Sequence, residues 1–335
     1  MPDPLPTAQR ILDMASGYEP ALILEAAVRL GLFDALDDRP LPMPDVAARI
    51  GASERGARVL LNALVGLDLL ERYGDLYALT PESAAYLVTT SPRYQGYMCR
   101  FVSGHLIPRW LRLTDVVRTG RPATGVNDEP DGGPYFREFV EAIFPMSYEA
   151  AQALAAALGV SAATAPLCVL DLAAGSGVWG VALAEASPHV SVTAVDWPAV
   201  LPVTRRIADQ RGLTPRFRFV PGDLLHADFG AGHAVATLGH ILHSEGEARS
   251  RLLLQKTFDA LAPGGTIVIA EFVPNEDRTG PLDALIFAVN MLVNTDAGDT
   301  FTFNEMSAWL RAAGFTAIRQ LDVPGPAPLL LATKP

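Results

Sequence analysis

Val169-Leu170-Asp171-Leu172-Ala173-Ala174-Gly175-Ser176-Gly177-Val178-Trp179-Gly180 is the stretch that decides the fold. Its apolar start reads as a buried strand, its glycines as a tight turn, and the residues after them as the opening of a helix. Glycine supplies the positive φ of such a turn and lets a ligand approach the main chain. The strand begins at 167 (LCVLDL, 167–172), and the same alternation continues downstream. Strands are predicted at 191–196 (SVTAVD), 217–221 (FRFVP), 234–238 (AVATL), 265–271 (GTIVIAE), 317–322 (AIRQLD) and 329–333 (LLLAT), with apolar-faced helical stretches between the first six. That pattern predicts an α/β fold, a doubly wound sheet of seven strands with helices on both faces. The last two strands are joined only by Pro324 to Pro328, too short for a crossover helix, so the last strand must be antiparallel.

Upstream the pattern changes. Residues 8–36 place Ile11, Leu12, Ala15, Leu22, Leu24, Ala27, Leu30 and Leu36 at helical spacing. Between 43 and 90 come a short helix (MPDVAARI), a break at Gly51, and a second helix through Leu69 capped by Ser53. A brief strand, a turn at Gly74 and Asp75, a second strand (LYAL) and a helix opened by Thr80-Pro81-Glu82 follow. Helix, turn, helix and wing make a winged-helix pattern. Such a unit either binds DNA through its second helix or serves protein contact. That helix carries Arg55 and Arg58 beside Glu54 and an apolar run (VLLNALVGLDLL), which favours dimerisation. The chain is thus predicted to comprise a winged-helix dimerisation domain at 1–95, a helical linker at 96–158 with a helix from about Tyr135 to Leu158, and a ligand-binding sheet domain at 159–335.

Composition narrows the function. Among 335 residues, 26 Lys and Arg stand against 37 Asp and Glu, a net charge of −11. Such a surface repels phosphate backbones and anionic membranes, which argues against nucleic acid as a partner. Cys99 and Cys168 lack metal-ligand spacing and read as buried reduced thiols in a cytoplasmic protein. The start MPDPLPTAQR has no secretory pattern. Ala150 to Leu170 is uncharged and long enough to span a bilayer, but Gly159, Ser161, Thr164 and Pro166 divide it into a helix, a loop and the start of a strand.

Acids at strand ends then distinguish two cofactors. The glycines fit a dinucleotide or S-adenosylmethionine. Asp171, just before the turn, is awkward beside a pyrophosphate but suits the ammonium and sulfonium of S-adenosylmethionine. Asp196, at the end of the second strand, can accept hydrogen bonds from ribose hydroxyls in either case. Gly222-Asp223-Leu224 follows the third strand, where an acid can meet an adenine amino group.

Taken in order and spacing, DLAAGSG, VDWP, PGD, LHS, LAPGG and EFVPNE resemble the class I O-methyltransferases. With the front domain, the whole chain is similar to the dimeric branch that includes caffeate, acetylserotonin and polyketide O-methyltransferases. The resemblance implies S-adenosylmethionine as cofactor, a homodimer, and a small aromatic or polyketide-like acceptor. It implies that Gly175 and Gly177 lie against the methionine portion, that Asp196 and Trp197 lie by the ribose, and that Gly222, Asp223 and Leu224 lie by the adenine. His243, in LGHILHSEGEA, falls at the family's general base, and Glu271 is placed to fix its tautomer. Ser244-Glu245 stand where plant members have Asp-Trp. Thr300, with Asp299 beside it, stands where they have a second acidic partner for the histidine.

A neutral imidazole can accept the acceptor's hydroxyl proton as oxygen attacks the methyl. His240 reads as a histidine lining the pocket; its spacing of three from His243 argues against a metal triad with Glu271. Trp110, Phe144, Met146, Tyr148, Phe287 and Met291 are candidates for the apolar substrate wall, with Asp299 at its polar edge. Methylation of carbon or nitrogen, other chemistry on the same fold, a DNA-binding ligand sensor and an NAD oxidoreductase are the other readings.

Overall fold

The computed structural model describes residues 7–127, 129–325 and 327–335. Its contacts divide the chain into two compact units, Met1–Ile107 and Pro108–Pro335. The predicted linker at 96–158 therefore falls partly in each.

In the first unit, helices Gln9–Ser16, Tyr18–Arg29 and Leu32–Ala35 precede strand β1 (Leu41–Pro42) and helices Met43–Arg49 and Glu54–Gly66. Strands β2 (Leu70–Tyr73) and β3 (Leu76–Leu79) form the wing, and helix Pro81–Tyr86 follows. Ser53 caps its helix by accepting from Gly56 N–H at 3.1 Å, and Thr80 closes a reciprocal cap with Ser83. Two details depart from expectation. The capped helix ends at Gly66 because Asp68 turns to φ 57° and feeds Leu70 into β2. The wing sheet also has a third strand, in the order β1-β3-β2. Leu32, Phe33, Leu61 and Leu64 form a fully buried core in this unit. Helix Gly96–Phe101 then runs into a π-helical turn, Val102–Leu106.

The second unit opens with a short helix, Ile107–Trp110, that crosses the division, and with helix Leu113–Thr119. The long helix runs Glu129–Ala157, six residues earlier than predicted; Pro130 falls in its first turn, where no N–H is needed. The sheet strands are β4 (Leu167–Leu172), β5 (Val190–Asp196), β6 (Phe217–Pro221), β7 (His233–Gly239), β8 (Leu261–Ala270), β9 (Thr316–Leu321) and β10 (Leu329–Thr333). Their order is β6-β5-β4-β7-β8-β10-β9. All pairs are parallel except those of β10, which runs antiparallel to both β8 and β9.

Alternation along each strand feeds two cores, one on each face. Val169, Val181, Val192, Leu329 and Leu331 pack on one side; Leu170, Leu172, Leu238, Leu254 and Leu330 pack on the other. Chain order reverses direction at β4 and β7, and a crevice for ligands opens beyond the carboxyl ends of strands at such a point. Cys168 is exposed rather than buried, because β4 projects at its amino end before the sheet covers it. Cys99 is half-buried. Among the described residues no helix is long and apolar enough to cross a membrane. The uncharged stretch from Ala150 is split by Gly159 at φ 63° and the short helical turn Val160–Ala162.

Candidate active site

The turn after β4 needs its glycines. Ala173, Gly175 and Gly177 take φ of 50°, 57° and 74°. A Cβ on Gly177 would stand 2.7 Å from Thr204 Cγ2, and one on Gly175 would stand 3.1 Å from Val140 Cγ1. Thr204, fully buried, donates its hydroxyl to Gly175 O at 2.6 Å. The third glycine, Gly180, has a different reason: a Cβ there would meet Val192 Cγ1 at 2.7 Å and Asp171 Oδ2 at 2.9 Å.

Asp171 departs from expectation. It is fully buried; Oδ2 accepts from Gly180 N–H at 3.0 Å and Oδ1 from the Thr237 hydroxyl at 2.7 Å. Burial pushes its carboxyl up to about 7, against the pull of those two donors. No surface remains through which it could touch a ligand, so Asp171 ties the turn to β7 rather than meeting a sulfonium.

Asp196 stands on the same edge. Half-buried at the end of β5, it accepts from Gly175 N–H and Trp197 N–H, both at 2.7 Å. Trp197 packs edge-on to Phe136 with ring centroids 5.8 Å apart. After β6, Gly222 N–H donates to Asp196 O, while Asp223 accepts from Leu225 N–H and pairs with Arg249 at 2.8 Å. Burial works to raise the Asp223 carboxyl, but Leu225 N–H, Arg249 and His226 together hold it below the usual range. Leu224 is buried in the core beside it.

Beyond β7 the chain turns at His240, whose φ of 61° is unusual for a residue with a side chain. His243 lies in the first turn of helix Leu242–Ala260, nearly buried. Its Nδ1 is 2.6 Å from Glu271 Oε2, and its backbone N–H donates to Glu271 Oε1 at 3.2 Å. Glu271 follows β8 directly and is 2% exposed. Burial works to raise its carboxyl, but the imidazole of His243 and His240 nearby hold it below the usual range. An ionised Glu271 accepts a hydrogen bond from Nδ1–H, which keeps that hydrogen on Nδ1 and leaves Nε2 as a lone-pair acceptor.

The left-handed turn at His240 has a further effect. The donor atoms of His240, His243 and Glu271 lie within 4.8 Å of one another, so the spacing argument against their convergence fails. Burial pushes His240 down to about 4, and its Nδ1 has no partner among the described residues.

Of the predicted wall, Phe287 is at the site, edge-on to the His243 ring at 4.8 Å. Met291, 6% exposed, is one turn further along the same helix, Leu282–Asn294. Trp110 reaches that helix through Nε1–H to Asn290 Oδ1 at 3.1 Å. Phe144 and Tyr148 are elsewhere: they stack at 5.3 Å under Arg211, and the Tyr148 hydroxyl bonds Glu185. Met146 is 45% exposed. Asp299 meets His243 through the main chain, its N–H donating to His243 O at 2.9 Å while its carboxylate accepts from Thr300 N–H. Sequence reading missed Phe272, stacked on Phe287 at 4.1 Å and 5.4 Å from His240. An aromatic directly after the strand-end acid was its available signal.

Residues 141–316 match the O-methyltransferase domain model, and residues 12–89 match the O-methyltransferase dimerisation domain. The chain belongs to the O-methyltransferase family. The 3-hydroxy-5-methyl-1-naphthoate 3-O-methyltransferase of Streptomyces sahachiroi is 34% identical over 94% of this chain and 92% of its own. The tetracenomycin polyketide synthesis 8-O-methyl transferase of Streptomyces glaucescens is 32% identical over 97% and 96%. The crystal structure of human N-acetylserotonin methyltransferase with S-adenosylmethionine superposes with a TM-score of 0.87 at 27% identity, over 100% of this chain and 99% of that one. This O-methyltransferase is an S-adenosylmethionine-dependent enzyme. Its turn fits that cofactor: backbone without Cβ lines the approach, and a half-buried carboxylate stands at the adjoining strand end.

Proposed function

We propose that this O-methyltransferase methylates a hydroxyl of a small aromatic, polyketide-like molecule, with His243 as the base. The carrying observation is the 2.6 Å contact between His243 Nδ1 and the buried Glu271 carboxylate, which leaves Nε2 to receive a proton. S-adenosylmethionine, when bound, supplies an electrophilic methyl group. Gly175 and Gly177 would lie against its methionine portion, Asp196 and Trp197 by its ribose, and Gly222, Asp223 and Leu224 by its adenine. His243 takes the acceptor's proton as the oxygen attacks, because a phenol is a much weaker acid than an imidazolium and full transfer before attack would be uphill. Glu271 holds the imidazole and balances its charge. Phe287, Met291, Trp110 and His240 would line the acceptor, which is held in line with the methyl. The aromatic substrate named for the Streptomyces naphthoate enzyme supports the acceptor class.

The reading includes a cytoplasmic homodimer. The match to a dimerisation domain and the exposed Ile11, Leu12 and Met14 of the first helix support pairing. His243→Ala is predicted to leave S-adenosylmethionine affinity within about twofold by calorimetry. Turnover of hydroxynaphthalene acceptors should fall by about 10²–10⁴. Unchanged turnover would remove His243 from its role.

A further inference from the structure

Arg109 has no part in the chemistry above. Half-buried, it donates from Nη1 to Asn294 Oδ1 at 2.9 Å, and its Cζ lies 4.4 Å from the Tyr135 ring centroid. Both neighbours are neutral. Asn294 carries no charge, and burial pushes the Tyr135 phenol up to about 12 against the pull of Arg109 itself. Among the described residues no carboxylate pairs with this guanidinium. A cation taken partly out of water is costly without an anion.

Asn294 cannot supply more. It is 2% exposed, its Nδ2 donates to Asn290 O and Oδ1, and its backbone carbonyl accepts from Val126 N–H. A guanidinium, by contrast, has five donors in a planar fork, and its bonds to the Asn294 amide oxygen and the Tyr135 hydroxyl leave the others for an oxyanion.

The location gives this charge a use. Phe287, Asn290, Met291 and Asn294 share one face of helix Leu282–Asn294, at spacings of three, four and seven. Phe287 touches the His243 ring, and Asn294 holds Arg109. Seven helical residues rise about 10 Å, so the cation stands about that far along the helix from the Phe287 level, with Met291 between. That is the length of a fused aromatic bearing a hydroxyl at one end and an acid at the other.

We propose that Arg109 receives a carboxylate of the acceptor and sets specificity for aromatic hydroxy acids, a placement that rests on His243 acting on the hydroxyl. A charge-assisted bond of this kind discriminates by about tenfold to a hundredfold.

Calorimetry on the full chain with S-adenosylhomocysteine, using 1-naphthoate and 1-naphthamide as probes, tests this without methyl transfer. The native protein should bind the acid at least about tenfold more tightly than the amide. Arg109→Met should bring that ratio near one, and Arg109→Lys should restore part of it. A native protein that does not favour the acid overturns the assignment, whatever the variants do. So does a preference that survives in folded Arg109→Met. If that variant does not fold, the native ratio and Arg109→Lys decide. An Arg109-dependent preference in a protein that methylates no hydroxynaphthoate or hydroxynaphthamide would support the carboxylate site and sink the His243 reading. Methylation with no acid preference would do the reverse.

Discussion

Replacing Asp171 by Asn should remove a large pH dependence of stability and little else. Asp171 is fully buried, and its carboxyl is raised from 3.8 to about 7. The folded chain therefore holds a proton there that the unfolded chain has released. Stability from this group is complete below pH 3.8 and is lost as pH rises through about 7. With those two values the loss between pH 5 and pH 8 comes to about 3 kcal/mol. Asn has the same shape: Oδ1 can accept from Gly180 N–H, and Nδ2 can donate to Thr237 Oγ1 once that hydroxyl rotates. Urea melts of the native protein and Asp171→Asn at pH 5 and pH 8 isolate the effect, since every other titrating group is common to both. The native protein should lose about 3 kcal/mol relative to the variant on going to pH 8, or about 6–12 °C in Tm for a unit of this size. A difference that stays constant to within about 0.5 kcal/mol would show that Asp171 is not a desolvated acid, and the account of the turn would fall with it.

Gly177→Ala forces a side chain into φ 74° and within 2.7 Å of Thr204 Cγ2. We predict a cost of about 2 kcal/mol and weaker S-adenosylmethionine binding by tenfold or more, read by melting and calorimetry. Tyr148→Phe removes a hydroxyl that bonds Glu185 and Arg211. Stability should fall by about 1 kcal/mol with kcat/KM unaltered, whereas a substrate-wall role would raise KM.

The sheet was legible in the sequence because strand, turn and helix each leave a local signature, and all seven strands stand within four residues of their predicted limits. β1 was hidden because two residues, one of them proline, carry no periodicity. The start of the Glu129–Ala157 helix was hidden by Pro130, Gly132, Gly133 and Pro134. Gly132 is there for a tertiary reason, since a Cβ would meet Val126 O at 2.1 Å. At the site, the contact between His243 and Glu271 was legible because strand ends converge by topology. Phe144 and Tyr148 were assigned to the wrong surroundings because helical spacing does not say which neighbour a face meets. Arg109 drew no attention because the proposal rests on the lack of a counter-charge among the described residues, which only three dimensions reveal.

The position of β10 also bears on how the polypeptide matures. β9 touches the sheet through β10 alone, and β10 lies against β8. Residues 316–321 have no strand to pair with until residues 329–333 are in place. A chain in which 329–333 are unpaired carries a bare, strongly apolar β8 margin. Such a margin invites strand pairing between chains. Closure of the sheet therefore waits on the pairing of Leu329, Leu330 and Leu331.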